Sequence, residues 1–420
     1  MSFVEMQIES DPQKKPKKQR YIGARREKYI YKHKSITEGE KETMETEKER
    51  SYEDRTESFV SLPLDLTIDI LLRLPAKSIG RLRCVSKLWL TMTTTSSFVK
   101  SFSVHSSARP SLIFCKNGEE KCVFYSFPHH HPRAEKYLHK EETGLPLSTI
   151  TNENNYIPHQ SIHGLIPFGN FECVIIWNPT LKQHVTLPQP KVSKPFISLL
   201  GYDPIGDQYK VLCMSLRNKG EDPQIFTMGP RESWRTIIQD SPSHVILYKA
   251  IWRCINGVVY YLAARDTIVS FDVRSEKFGV IQIPNMGWRL RTLPCGFIRH
   301  RGRLALFSNT SSLLGRISLW ILEDAEKHEW SRKDSYLPFV TRKGSITLSF
   351  FTLSGETVDD ELIYIPMFAG GPFYAIYYDL ERNRVRKVEY EGIGEIEFRS
   401  HCFPNHIESL MSLNNLFTAP

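Results

Sequence analysis

The sequence predicts a multidomain chain that consists of a disordered charged arm, a small three-helix module and a large all-β domain. Three observations support this order. Residues 1–58 form charged blocks with almost no core-forming side chains, whereas residues 59–103 carry apolar side chains at helical spacing. Residues 104–410 consist of short β-rich segments separated by Gly, Pro, Asn and Asp. Residues 411–420 are predicted to form a C-terminal tail.

Composition and cysteine usage indicate an intracellular soluble protein. The chain has 40% apolar and 24% charged residues, which is enough to bury a core. No apolar run approaches the roughly 18 residues of a membrane helix, and the first residues, MSFVEMQIESD, lack the apolar centre of a secretion signal. Eight cysteines without a CxxC pair suit free thiols in a reducing compartment. We therefore expect a cytoplasmic protein, a nuclear protein or both, with no membrane contact.

The predicted arm contains two blocks of opposite charge. From Asp11 to Lys34 there are ten Lys and Arg residues and two acids, and from Glu38 to Glu57 there are nine acids and four bases. Low apolar content and blocks of like charge favour disorder. The run KKPKKQR, Lys14 to Arg20, suits a nuclear import signal, a phosphate-binding patch or a solvated tail.

The stretch LPLDLTIDILLRLPAKSIGRLRCVSKLW, residues 62–89, has apolar residues at three- and four-residue steps. This spacing predicts an amphipathic helix that ends before Pro75 and a second helix that begins near Ser78. Residues 96–102, SSFVKSF, are predicted to form a third short helix. Three helices in about 45 residues bury too little surface to be stable alone. The apolar rows therefore pack either on the rest of the chain or on another protein.

This stretch resembles the F-box. The string LPxDLxxxILxRLPxKSIxRxRCVSKLW is met at every position from Leu62 to Trp89, including both Leu-Pro pairs. Asp69 stands where many members carry Glu, and the charge is kept. The resemblance implies a module that docks on the Skp-type adaptor of a cullin–RING ubiquitin ligase.

The resemblance also implies which residues contact the adaptor. Apolar anchors on helices of this kind suit a groove, and a few of them carry most of the affinity of an interface of roughly 1,600 Å². Carried over position by position, the adaptor-binding residues are Leu62, Pro63, Leu66, Ile70, Leu74, Pro75, Leu82, Val85, Ser86 and Trp89.

After Phe102 one hairpin pattern returns along the chain. In VIIWNPTLKQHVTLP, IVSFDVRSEKFGVIQIP and AIYYDLERNRVRKVEY, an apolar strand leads into a turn opened by Asn or Asp. The turn markers, which are spaced by 52, 50, 44, 51 and 56 residues, are Ser126, Asn178, Met228, Asp272, Glu323 and Asp379. A period near fifty residues predicts a β-propeller-like, kelch-like domain with one blade per period. A sandwich of two sheets is the alternative.

Stretches of this region also resemble the F-box-associated domain, type three, of plant F-box proteins. They occur in the family's order between about Ser111 and Tyr390, and they are HGLIPFGN with IIWNPTLKQHVTLP, LGYDPIGDQYKVLCM, CINGVVYYLA, FDVRSEKF and LWILEDAEKHEW. The stretch from His129 to Tyr156 looks like an insertion relative to the family. The resemblance implies that this domain recruits the protein to be ubiquitinated, and it leaves that target unnamed.

No motif for catalysis, a cofactor or a metal stands out. His129, His130, His131 and His139 lie near Cys115 and Cys122, but zinc needs ligands on rigid elements and this stretch contains prolines and little pattern. Neither a phosphate-binding loop nor a Gly-x-Ser-x-Gly elbow is present. We therefore expect no catalytic residue, no cofactor and no metal.

These features favour the non-catalytic substrate-receptor subunit of an SCF-type cullin–RING ubiquitin ligase. Its expected partners are the Skp-type adaptor, the cullin and RING subunits reached through that adaptor, and an unknown target protein. One alternative is a nucleic-acid-binding protein that uses the basic arm and loses affinity steeply with salt. Another is a propeller enzyme or sugar-binding protein, which needs convergent polar or metal groups at the centre of the ring.

Overall fold

The computed structural model describes most of the chain from residue 62 on. The described residues are 62–117, 121–128, 136–138, 141–146, 160–169, 173–218, 220–230, 232–238, 251–264, 267–284, 295–311, 315–340, 351–366, 373–393 and 401–414. The predicted arm, residues 1–58, lies outside them, so its disorder stays a prediction. Residues from Leu64 on form one compact unit.

Residues 64–107 form four helices where three were predicted. The helices are α1 (Leu64–Arg73), α2 (Ala76–Val85), α3 (Lys87–Thr94) and α4 (Ser96–Ser107). Pro75 separates the first two, because it has no N–H group and its ring opposes a continuous helix. The predicted second helix is interrupted at Ser86, whose backbone is extended with φ −141° and ψ 131°. The helical module is confirmed, with one helix more than the sequence indicated.

The helices share a small apolar core. Its buried members are Leu71, Leu72, Ala76, Ile79, Phe98, Phe102 and Leu410. Six of these residues come from the helices, whereas Leu410 comes from the C-terminal end of the chain. The helical module therefore completes its core with a residue that lies more than 300 positions later in the sequence.

The rest of the unit is a six-bladed β-propeller, which confirms the predicted fold class. Blade 1 combines β1 (Ser111–Asn117), β2 (Lys121–Pro128) and β4 (Glu141–Pro146) with β24 (His401–His406). Because β24 pairs with β1, the last strand of the domain closes the ring against the first.

The other five blades follow one another along the chain. Their strands are β5 (Ile166–Gly169), β6 (Val174–Asn178) and β7 (Gln183–Thr186) in blade 2; β8 (Phe196–Asp203), β9 (Gln208–Ser215), β10 (Gln224–Thr227) and β11 (Arg235–Thr236) in blade 3; β12 (Trp252–Ile255), β13 (Val258–Ala263), β14 (Thr267–Asp272) and β15 (Phe278–Gln282) in blade 4; β16 (Cys295–His300), β17 (Arg303–Ser311), β18 (Arg316–Asp324) and β19 (Glu329–Tyr336) in blade 5; and β20 (Phe351–Glu356), β21 (Leu362–Pro366), β22 (Phe373–Asp379) and β23 (Arg384–Glu391) in blade 6. Six separate sheets exclude the alternative of a two-sheet sandwich.

Part of the predicted insertion contributes to the neighbouring blade. The short strand β3 (Lys136–Leu138) lies between β2 and β4 in sequence but pairs in parallel with β23 of blade 6. Blade 6 therefore has five strands. Because β3 is connected in sequence to strands of blade 1, it links blade 1 to blade 6, its neighbour in the ring.

The six turn markers fall in six different blades, which explains their regular spacing. Asn178 Oδ1 accepts hydrogen bonds from the amides of Thr180 and Leu181, at 3.0 and 3.3 Å. Asp379 Oδ1 does the same for Glu381 and Arg382, both at 2.9 Å. These bonds are the turn-opening role that Asn and Asp side chains fill well.

In blade 5 the turn is opened by a neighbour of the predicted marker. The carboxylate of Asp324, and not that of Glu323, accepts the amides of Glu326 and Lys327, both at 2.9 Å. The side chain of Asp is short enough for its carboxylate to accept backbone amides two and three residues ahead, whereas the side chain of Glu is one methylene too long for this geometry. The period was therefore predicted correctly although this marker was displaced by one residue.

Candidate functional site

The ten residues assigned to adaptor contact are all at least partly accessible. The exposed ones are Leu62, Pro63, Leu66, Ile70, Pro75 and Val85, and the half-buried ones are Leu74, Leu82, Ser86 and Trp89. Val85 is 75% exposed, and Leu66 and Ile70 are 52% and 48% exposed. Large apolar side chains at this exposure are typical of an interaction site.

Helix α1 is apolar on two sides. Leu71 and Leu72 are buried in the core of the helical module, whereas Leu66 and Ile70 point away from it and are exposed. A surface helix of a globular protein usually has one apolar stripe and a polar opposite face. The second apolar side of α1 has no cover among the described residues, so it suits contact with another molecule.

Two of the ten residues serve mainly the module itself. Leu74 and Leu82 are half-buried because they pack against the core that contains Ile79. Arg83 also has an internal role, since its guanidinium donates to the hydroxyl and the carbonyl of Thr93, at 2.9 and 2.6 Å. Burial lowers the pKa of Arg83 from its ordinary value. These contacts hold α2 against α3 and so fix the positions of the exposed residues.

Sequence reasoning missed three exposed apolar residues in the same region. Leu64 is 56% exposed, Leu88 63% and Leu90 44%. Leu88 was overlooked because a single helix from Ser78 to Trp89 places it off the apolar stripe. The break at Ser86 gives α3 its own orientation, in which Leu88 is exposed. The polar pair Ser86 and Lys87, between Cys84-Val85 and Leu88-Trp89, was the signal that could have indicated the break.

The C-terminal strap, residues 407–413, supports the helices from the propeller side. Glu408 Oε2 accepts a hydrogen bond from the backbone amide of Ala76 at 3.1 Å, and the Glu408 amide donates to Ser106 Oγ at 2.8 Å. Arg109 lies 3.8 Å from the Glu408 carboxylate and donates to the carbonyls of Arg73 and Leu74. The strap therefore contacts the start of α2 and the end of α4.

The same strap is bound along the edge of blade 2. Asn178 Nδ2 donates to the carbonyls of Ser409 and Met411, at 3.1 and 2.8 Å. Gln183 Oε1 accepts from the amide of Leu413 at 2.9 Å, and the Leu413 side chain is buried in the core of the propeller. The strap thus links the helical module to the propeller through its backbone and through two leucines.

A cavity of about 240 Å³ lies where α2, the strap and blades 1 and 2 meet. It is lined by charged and hydroxyl side chains over an apolar floor, among them Lys77, Ser111, Phe124, Thr180, Lys182 and Glu408. Glu408 already accepts the Ala76 amide at the start of α2. We assign it no ligand.

The inner strands of the propeller carry a buried ion pair. Arg253 on β12 donates to the carboxylate of Glu356 on β20, and Asn405 Nδ2 on β24 donates to the Glu356 carbonyl at 2.8 Å. Glu356 is 1% exposed, and desolvation raises the pKa of its carboxyl. These contacts join blades 4, 6 and 1. Because the charges of Arg253 and Glu356 neutralise each other, we interpret the pair as structural and not as an acid–base pair for catalysis.

The structure gives no metal cluster in the part of the chain that it describes. Cys115 is buried within blade 1. The four histidines weighed as ligands, His129, His130, His131 and His139, lie outside the described residues. No helix among the described residues is long and apolar enough to cross a membrane.

A helical module with an exposed apolar side, fixed to a six-bladed β-propeller, defines a two-module binding protein. Comparison with family models then identifies both modules. The F-box domain matches residues 59–101, and the F-box associated beta propeller domain matches residues 111–415. The chain belongs to the plant F-box proteins that carry an F-box-associated β-propeller domain. Neither family model is that of an enzyme.

Relatives from Arabidopsis thaliana support this assignment over nearly their whole length. At4g21240 is 39% identical over 392 residues, which cover 85% of this chain and 91% of that protein. At1g47790 is 39% identical over 378 residues, which cover 84% of this chain and 94% of that protein. The F-box protein DOR is 34% identical over 386 residues, which cover 85% and 95%.

Apo AztD from Citrobacter koseri aligns with 70% of this chain and 98% of its own, at 11% identity and a TM-score of 0.33. This similarity is too low to support an argument.

Proposed function

We propose that the protein is the substrate-receptor subunit of an SCF-type cullin–RING ubiquitin ligase. The observation that carries this proposal is the exposed apolar side of the F-box helices, which no part of the described chain covers. An F-box implies a Skp-type adaptor as partner. The adaptor then connects this chain to the cullin and RING subunits.

The adaptor is expected to bury a group of apolar side chains and not a single one. Full burial of one Leu, Ile or Val contributes about 1.5–3 kcal/mol. Association costs roughly 4–15 kcal/mol in lost translational and rotational freedom, so one anchor is insufficient. Leu66 and Ile70 of α1, Val85 of α2 and Leu88 of α3 offer such a group, and the sequence motif adds Leu62 and Pro63.

In this proposal the propeller binds the target protein and the chain supplies no active site. Its contribution to ubiquitin transfer is proximity, because a bound target holds its lysine near the charged carrier enzyme and raises the effective concentration. The strap supports this role, since it fixes the helical module to the propeller through Glu408, Leu410 and Leu413.

The proposal is tested by pull-down of a purified Skp-type adaptor with the full chain. We expect the double variant Leu62→Ala with Pro63→Ala to abolish binding while the circular-dichroism signal of the propeller is unchanged. Val104→Ala is the matched control, because Val104 lies on α4, is 61% exposed and is outside the assigned surface. Adaptor binding that survives the double substitution contradicts the proposal. Affinity purification under proteasome inhibition then reports candidate targets.

The basic arm provides the test for the competing class. Deletion of residues 1–58 leaves adaptor binding unchanged if the F-box carries the function. A nucleic-acid-binding protein instead loses its binding on this deletion, and its affinity falls steeply with salt. The same deletion tests localisation, because we propose a cytoplasmic or nuclear complex and Lys14–Arg20 is the candidate import signal.

A further inference from the structure

The outer side of α2 contains a glycine that the packing of this chain does not require. Gly80 is an interior residue of the ten-residue helix, and its φ lies outside the left-handed region that favours glycine. A Cβ atom placed on Gly80 meets no atom within 4 Å. Glycine inside a helix is destabilising relative to alanine. The fold therefore carries a cost at Gly80 that nothing in the described residues offsets.

The residues around Gly80 form one exposed face, which we call the α2 outer face. It consists of Lys77, Gly80, Arg81, Cys84 and Val85, all exposed and related by steps of three or four residues. The opposite side of the helix holds the buried Ala76 and Ile79. The α2 outer face ends at Val85 and so continues directly into the apolar surface assigned to the adaptor.

The same region is positively charged without compensation in its own sequence. Residues 76–100 contain five Lys and Arg residues and no Asp or Glu. Arg83 is engaged with Thr93, but Arg81 and Lys87 are exposed beside Val85 and Leu88. Cations next to an apolar patch favour a partner whose rim is acidic, because complementary charges at the rim of an interface speed association.

We propose that the adaptor covers the α2 outer face, that its surface lies directly on Gly80, and that acidic side chains of the adaptor face Arg81 and Lys87. This inference rests on the proposed function and adds where the contact extends and which charge the partner presents. Glycine on a helix surface is the residue that lets another backbone approach closely. The absence of a Cβ at position 80 is then a feature of the interface and not of the fold.

The glycine part is tested with the full chain and a purified plant Skp-type adaptor by biolayer interferometry. We expect Gly80→Ala to raise the melting temperature and yet weaken binding. Gly80→Leu is expected to weaken binding by roughly tenfold or more, since overpacking a fitted contact is costly. Ser107→Leu, which adds similar bulk to the exposed end of α4, is the control and leaves binding unchanged.

The outcomes separate this inference from the proposed function. If the wild-type chain does not bind the adaptor, the proposed function is wrong. If the wild-type chain binds and Gly80→Leu binds equally well, the proposed function stands and the contact at Gly80 is refuted. If Ser107→Leu weakens adaptor binding as much as Gly80→Leu does, the contact at Gly80 is also refuted, because a larger side chain then weakens binding wherever it is placed.

The charge part is tested by association rates at low and high salt. Arg81→Glu is expected to slow association by roughly tenfold at low salt, with a smaller difference at high salt, where ions screen exposed charges. Lys100→Glu makes the same change of charge on α4 and is expected to have little effect. The proposal that acidic side chains of the adaptor face Arg81 is refuted if the association rate of Arg81→Glu equals that of the wild type. It is also refuted if Lys100→Glu slows association by the same factor.

Discussion

The carboxylate of Glu408 accepts a hydrogen bond from the backbone amide of Ala76 at 3.1 Å, across 332 positions of the sequence. Helix α2 has no acidic residue in its own first turn, and no side chain at Pro75 caps it. Negative charge at the start of a helix satisfies free amides and interacts favourably with the helix dipole. The F-box thus receives its cap from the C-terminal end of the propeller, which makes the two modules interdependent.

The first prediction concerns Leu410, which closes the core of the F-box. Leu410→Ala is expected to destabilise the helical module by about 2–4 kcal/mol, because it leaves a cavity beside Ile79 and Phe102. The measurement is hydrogen–deuterium exchange, with faster exchange expected in α1, α2 and α4. Leu413→Ala is the control, because Leu413 is equally well buried but packs into the propeller. Similar exchange maps for the two variants contradict the role of the strap.

The second prediction concerns the ion pair between Arg253 and Glu356. Glu356→Ala leaves a buried guanidinium without its partner and is expected to cost about 3–5 kcal/mol in unfolding free energy. The combined Arg253→Met and Glu356→Leu variant is expected to lose less than the single one, since no buried charge remains. Denaturant unfolding of the single and double variants measures this coupling.

An exposed pair gives the comparison for that experiment. Arg301 and Glu381 are 3.0 Å apart with side chains 65% and 46% exposed, so Arg301→Met is expected to change stability by less than about 0.5 kcal/mol. If Glu356→Ala behaves like Arg301→Met, the buried pair does not hold the blades together.

The third prediction is a loss of stability in acid. Burial lowers the pKa of His163 and His401 to about 4 and that of His406 to about 3. Because these rings stay neutral in the folded state and charge near pH 6.5 when unfolded, their contribution is present above pH 6.5 and is lost as the pH falls towards 4. At pH 5 the loss is about 2 kcal/mol for each histidine. Glu356 acts in the opposite direction, since burial raises its pKa.

Thermal unfolding between pH 7.5 and 5 tests this prediction. His406→Gln removes one buried histidine, so its stability should fall less with acid than that of the wild type. His184 is exposed, and His184→Gln should leave the pH dependence unchanged. A wild-type chain whose stability is constant over this range contradicts the neutral state of the three rings in the folded protein.

Much of the fold could be predicted because its signals are local. Asn178 and Asp379 open turns by bonding amides two or three positions ahead, so blades 2 and 6 repeat a visible sequence pattern. Features that depend on distant residues left no such pattern. The pairing of β24 with β1, the reach of Arg253 to Glu356 and the docking of β3 on β23 join segments far apart in the chain.

The candidate site was predicted in part for the same reason. Motif spacing indicated Leu66, Ile70 and Val85, which are exposed, but it could not separate them from Leu74 and Leu82, which also pack inward. Their facing depends on the break at Ser86 and on core residues that come from the strap. The predicted limits of 59–103 for the F-box and 104–410 for the propeller stay predictions, although Leu410 and Leu413 show that both modules use residues near the chain's end.

The most direct test of the account is a calorimetric titration of the Skp-type adaptor into the full chain at several temperatures. The account predicts saturable binding with a negative heat-capacity change, because apolar surface around Leu66 and Ile70 leaves water. Ile70→Asp should abolish this binding, and Val104→Asp should preserve it. Binding of Ile70→Asp with wild-type affinity, or no binding by the wild-type chain, would contradict the claim that another protein covers the F-box helices.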